Sequence, residues 1–121
     1  MAESKRSIGA RAERFAKFYL IFHGYKILCM NYTVSGGEVD IIARKGKYLV
    51  FAEVKARRKS SMVSPIEAVN PQKMRHIINA ATRYIAHNNK ESLQPRFDVI
   101  CIELGKHFCR VTDHIENAFG A

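Results

Sequence analysis

Gly37-Glu38-Val39-Asp40-Ile41-Ile42-Ala43-Arg44-Lys45-Gly46-Lys47-Tyr48-Leu49-Val50-Phe51-Ala52-Glu53-Val54-Lys55 is the stretch that decides the fold. Alternation is its signal. Val39, Ile41 and Ala43 interleave with Glu38, Asp40 and Ile42, and Val50, Ala52 and Val54 interleave with Leu49, Phe51, Glu53 and Lys55. A period of two over this length predicts two strands, and Lys45-Gly46 predicts the tight turn between them. With that turn Arg44 pairs with Lys47, Asp40 faces Phe51 and Glu38 faces Glu53. Asp40 and Glu53 are then diagonal neighbours on one face. Two ionised carboxylates about 4 Å apart at an effective dielectric of ~20 repel by roughly 4 kcal/mol, so the face calls for a counter-charge. Lys55, two residues beyond Glu53 on the same face, is one candidate, and a divalent cation is another. Without a cation the pattern reads as an exposed strand face with Glu–Lys pairs, each contributing about 0–1 kcal/mol.

Working outward, residues 9–23 carry Ala12, Phe15, Ala16, Tyr19 and Phe22 at three- and four-residue steps. This predicts a helix, ended by Gly24. Residues 25–33 read as a strand, and Ser35-Gly36-Gly37 as a turn. Residues 57–63 read as a basic loop. Ser64-Pro65-Ile66-Glu67 has the capping-box arrangement, and Asn70-Pro71 repeats the cap-and-proline signal. The main second helix is expected from 71 to about 88, striped by Met74, Ile77, Ile78, Ala81 and Ile85. A strand over Phe97–Leu104, a shorter one over Phe108–Thr112 and a last helical turn over Asp113–Phe119 complete the reading. The order is that of an α/β domain with helices on a central mixed sheet.

The chain has 121 residues, enough for one domain, 1–121, with residues 1–7 expected to be a flexible N-terminus. Its longest apolar run, Phe18–Phe22, is far below the roughly 20 residues of a membrane span, and no signal-peptide pattern opens the chain. The expected setting is cytoplasmic, without membrane contact. Cys29, Cys101 and Cys109 are widely spaced in apolar context, which suits reduced buried thiols rather than zinc. Twenty Lys and Arg against eleven acids give +9, the balance expected of a nucleic-acid binder. Arg44, Lys45, Lys47, Arg57, Arg58 and Lys59 crowd one short stretch, and Gln72 and Lys73 open the second helix, where backbone N–H groups favour phosphate. The five histidines share no spacing and read as surface or helix-boundary residues. Asp98, in Arg96-Phe97-Asp98-Val99, reads as a structural partner of an arginine or a neighbouring strand.

The two segments 37–42 and 50–57, with Glu13, Ala16, Gly24-Tyr25, Asn31, Ala68-Val69, Lys73 and 96–99, resemble the YraN family of bacterial proteins. That family looks like a branch of the PD-(D/E)XK nuclease superfamily, near the archaeal Holliday junction resolvases. The resemblance implies a restriction-endonuclease-like α-β-β-β-α-β core. It implies Asp40 and Glu53 as ligands of Mg²⁺ or Mn²⁺, Lys55 as the catalytic lysine, and Glu13 as a further acid completing the metal site. Val39 stands where the superfamily name has proline, and Ala12 where the family usually has glycine. The expected activity is metal-dependent hydrolysis of phosphodiester bonds in DNA rather than RNA, with structured or branched DNA as substrate and a homodimer as the working form. Two other readings of the same residues are a non-cleaving nucleic-acid binder and a basic adaptor for an acidic protein.

Overall fold

The computed structural model describes residues 5–58 and 70–120. The elements run α1 (Lys5–Phe22), β1 (Lys26–Val34), β2 (Gly37–Lys45), β3 (Tyr48–Arg58), α2 (Pro71–His87), β4 (Gln94–Leu104) and β5 (Cys109–Phe119). One five-stranded sheet has the order β1-β2-β3-β4-β5. The β3–β4 pair is parallel, and the other three pairs are antiparallel. The parallel pair follows from α2, since parallel neighbours need a crossover long enough to return the chain. This is the expected single α/β domain, with β5 added to the α-β-β-β-α-β order.

The helices lie on opposite faces. Ala12, Ala16 and Leu20 of α1 pack on Ile41, Ala43, Val50, Ala52, Ile100 and Ile102. Ile77, Ala80, Ala81 and Tyr84 of α2 pack on Val39, Ile42, Leu49, Phe51 and Phe97. Strands covered on both faces are apolar on both, which is why β3 and β4 carry near-continuous hydrophobic runs. The α2 boundaries follow the sequence signals. Asn70 caps the first turn by accepting from Lys73 N at 2.8 Å, Pro71 sits at the first helical position, and Asn88 closes the end.

Several local expectations change. Helix α1 begins at Lys5, so residues 5–7 belong to its first turn. Of the expected loop 57–63, Arg57 and Arg58 instead extend β3 alongside β4, and residues 59–63 lie outside the described residues. The Ser64–Glu67 capping box and Lys59 lie outside the described residues. The last helical turn is absent, and β5 runs through Asp113–Phe119. Pairing with β4 holds it there, assisted by a hydrogen bond from Asn117 N to Asp98 Oδ1 at 3.0 Å. The β2–β3 turn is Gly46-Lys47, since Lys45 pairs with Tyr48. Gly46 takes φ +58 as the first turn residue. A turn at Lys45-Gly46 built on two positive φ values would strain Lys45, whereas a type II′ loop asks for one positive φ and puts glycine there.

Gly37 docks the hairpin onto α2. A Cβ at Gly37 would lie 2.8 Å from both Ala80 N and His76 O. Asn79 of the same helix donates to Gly36 O at 2.9 Å. We expect Gly37→Ala to cost about 1–3 kcal/mol, because the overlap is with backbone that cannot swing aside. Urea unfolding followed by circular dichroism measures it, and an unchanged midpoint would refute the close-approach account.

Candidate active site

The β2–β3 register moves by two residues from the expected one. An even shift leaves every side chain on its face. The ladder ends at Ile41 opposite Ala52, and continuing it sets Asp40 directly opposite Glu53. There the strands separate. Asp40 Oδ2 accepts from Val54 N at 2.8 Å, so the carboxylate takes the place of a ladder carbonyl.

The neighbouring β1–β2 ribbon turns at the same level. Met30 and Ile41 pack with the α1 layer, while Tyr32 and Val39 pack with the α2 layer. Residues two apart on a regular strand share a face, so the ribbon rotates between these pairs. Asn31 provides the rotation with φ +53, a conformation asparagine tolerates better than most residues. Asp40 therefore sits where two ladders open, between the helical layers.

Glu53 is buried, with 3 % exposure, and its Oε2 has no hydrogen-bond partner. Burial, then a hydrogen bond with Asp40 and the charge of Asp40, push its carboxyl up to about 9. The nearest compensation is unexpected. Lys73, from the first turn of α2, sets Nζ 2.7 Å from Glu38 Oε1 and 3.5 Å from Glu53 Oε2. The longer contact supplies charge but no hydrogen bond. The bond and charge of Lys73 hold Glu38 below the usual carboxylate range. Burial works to lower Lys73, but its bond to Glu38 and the surrounding carboxylates outweigh it and hold the ammonium high.

Glu13 approaches from α1. Burial and then the charge of Asp40 raise its carboxyl, while a hydrogen bond from the Asn31 side chain works the other way. This environment is that of the carboxylate group. A cleft of about 440 Å³ opens between the start of α1 and the end of β3. Ile8, Ala12, Glu13, Lys55, Arg57 and Arg58 are among its walls.

Other expected residues lie elsewhere. Arg44, Lys45 and Lys47 occupy the opposite end of the β2–β3 hairpin. Five residues of extended strand, roughly 17 Å, separate Lys45 from Asp40. Lys45 Nζ donates to His23 O at 2.9 Å and lies over the Tyr25 ring, and Arg44 Nε donates to Gly46 O. Gln72 is exposed beside Lys73. Of the expected basic residues, Arg57, Arg58 and Lys73 accompany the carboxylates.

A second polar cluster lies on the α1 face. Fully buried Asp98 accepts from Arg96 Nε and Nη2, from Asn117 N and from His114 Nε2, the last at 2.8 Å. Burial pushes Asp98 up, but these partners hold its carboxyl below the ordinary value. Tyr19 and Tyr25 extend the network to His114 and Arg96. Asp98 is thus the structural carboxylate expected. His114 is a correction: it is an interior residue, placed there by β5, the strand read as a helical turn.

Among the described residues, no three His, Cys, Asp or Glu side chains are gathered as a ready-made metal cage. Mg²⁺ does not require one, since it keeps several waters and binds through one or two carboxylates. Asp40 and Glu53, with one buried Glu53 oxygen lacking a hydrogen bond, fit a hard divalent ion of that kind. An oxygen-only donor set suits Mg²⁺ or Mn²⁺ better than zinc.

The raised Glu53 carboxyl has a signed consequence. The folded chain keeps this proton to about pH 9, while the unfolded chain releases it near 4.5. The folded state binds more protons between those values, so this group's contribution to stability falls as pH rises through that window. In chelator, Glu53→Gln is expected to exceed wild type in stability by about 1–3 kcal/mol at pH 8, with the gain shrinking towards pH 5. Denaturant midpoints across pH 5–8 check this, and a gain that grows on acidification would contradict it.

The model for "Uncharacterised protein family UPF0102" matches residues 12–102. A UPF0102 protein of Carboxydothermus hydrogenoformans is 44% identical over 83% of this chain and 85% of its own. One of Geobacter metallireducens is 40% identical over 98% of this chain and 97% of its own. One of Idiomarina loihiensis is 45% identical over 78% and 83% respectively. The matched span runs from α1 through β4, so it includes Glu13, Asp40, Glu53, Lys55 and Lys73, and the chain belongs to the UPF0102 family.

Proposed function

We propose that this chain is a divalent-metal-dependent nuclease acting on DNA, with Asp40 and Glu53 holding Mg²⁺ or Mn²⁺. One observation carries the reading: a glutamate sunk beside an aspartate, with a buried oxygen left without a hydrogen bond. A structural carboxylate in this fold looks different. Asp98 is fully satisfied by two side chains and a backbone N–H, as buried charges normally are. Glu53 is left short, and a group kept in that state is a functional-site candidate.

When bound, the ion would polarise a phosphoryl oxygen and make a coordinated water more acidic. The chain's own residues supply the rest. Asp40 is fixed by Val54 N, so its second oxygen is held in position. Lys55 follows Glu53 along the strand and lines the cleft with Glu13, where its ammonium offsets charge developing on a phosphate. Arg57 and Arg58 continue β3 beyond Lys55 and meet the phosphate backbone. Such contacts position the duplex without reading sequence, and the reading therefore favours substrate shape, such as branched DNA, over base identity. Arg44, Lys45 and Lys47 reach only a substrate long enough to span the sheet, which again suits duplex or branched DNA.

With Mg²⁺ or Mn²⁺, wild type should cut junction, flap or linear DNA, and both Glu53→Ala and Lys55→Met should lower the rate by about 10²-fold or more. Gel assays on defined substrates measure this. If wild type and Glu53→Ala bind DNA alike and neither cuts, the nuclease reading fails and a non-cleaving binder takes its place.

A further inference from the structure

Lys73 stands where helix physics argues against it. It is the third residue of α2, the position a capping box gives to Glu or Gln. The helix N-terminus carries partial positive charge and disfavours an ammonium. The first turn of α2 contains no acid to offset it. A local rule broken without local compensation marks a functional or strained site.

The compensation lies on the strands that α2 covers. Lys73 Nζ donates to Glu38 Oε1 at 2.7 Å and approaches Glu53 Oε2 at 3.5 Å. That Glu53 atom is buried and without a hydrogen bond. The ammonium is close enough to favour negative charge on that oxygen and too far to satisfy it with a hydrogen bond. Glu38 is half exposed and keeps the shorter bond. The ammonium thus has a firm partner at the rim and a loose one inside.

We propose that Lys73 is the resident counter-cation of this carboxylate group. A divalent ion has to take Glu53 Oε2 over from it, so Lys73 sets the metal concentration at which the site fills. The inference rests on the metal-site reading above. Glu38 gives the ammonium somewhere to remain when Glu53 is claimed. The exchange needs no backbone movement, since Lys73 N stays bonded to Asn70.

The test is calorimetric titration of Mn²⁺ into the full chain, with no DNA present. Wild type, Lys73→Met, Lys73→Gln, Lys73→Arg and Glu53→Gln are compared. Lys73→Met should bind Mn²⁺ about tenfold more tightly than wild type, the size expected for removing one screened like charge from the ion's surroundings. Lys73→Gln retains a donor for Glu38, should behave the same way, and substitutes for the Met variant if that one misfolds. Lys73→Arg should stay near wild type. Equal or weaker binding by the neutral variants overturns the proposal and leaves the metal site standing, provided Glu53→Gln abolishes binding. Absence of Mn²⁺ binding in wild type and the neutral Lys73 variants overturns the metal reading and this proposal together.

Discussion

Everything in this molecule is arranged around a carboxylate that cannot settle. Glu53 is carried on a central strand into a region closed to water. Asp40 is opposite it, and Lys73, the cation that approaches its buried oxygen, is held by another partner. An ordinary fold avoids such a residue, because a buried polar group left without its hydrogen bond is among the more expensive features a core can contain. The surrounding structure keeps Glu53 in place regardless. The ladder gives out beside it, Asn31 rotates the neighbouring ribbon, and two helices cover the sheet from either side.

Asp98 is the internal comparison. It lies on β4 next to Ala52 of β3, so it and Glu53 occupy adjoining positions of one sheet on opposite faces. Asp98 has a bidentate arginine, a histidine and a backbone amide, and serves to join β4, β5 and both ends of the helix α1–β1 connection through Tyr19 and Tyr25. One buried carboxylate is used to hold elements together. The other is left able to accept something more.

The order of elements from α1 to β4, the hairpin that carries Asp40 and Glu53, and the limits of α2 were legible in the sequence, because each rests on a short-range rule. Side-chain period two sets facing, and moving the turn by one residue shifts the register by two and keeps the parity of the strand. Asparagine followed by proline sets a helix start. The parts that were not legible depend on contacts between distant segments. Thr112-Asp113-His114-Ile115-Glu116-Asn117 lacks clean alternation because β5 is an irregularly registered edge strand, and only pairing with β4 makes it extended. His114 looked like surface for the same reason. Lys73 read as a phosphate contact because its position on the helix was clear while Glu38, 35 residues earlier, could not be placed beside it. A lysine at the third position of a helix with no acid in its first turn was the available hint.

The bare α-carbon of Gly37 has a wider meaning. With no side chain between them, β2 and the middle of α2 touch backbone to backbone, and Glu38 is the very next residue. The close approach of Gly37 to His76 and Ala80 therefore fixes the two backbones from which the Glu38 and Lys73 side chains reach each other. A change along α2 that slides or tilts the helix against β2 would move the base of the Lys73 side chain relative to the carboxylates. The acidic group is in effect a gauge of helix position, and selection on its chemistry would also act on packing one and two turns away.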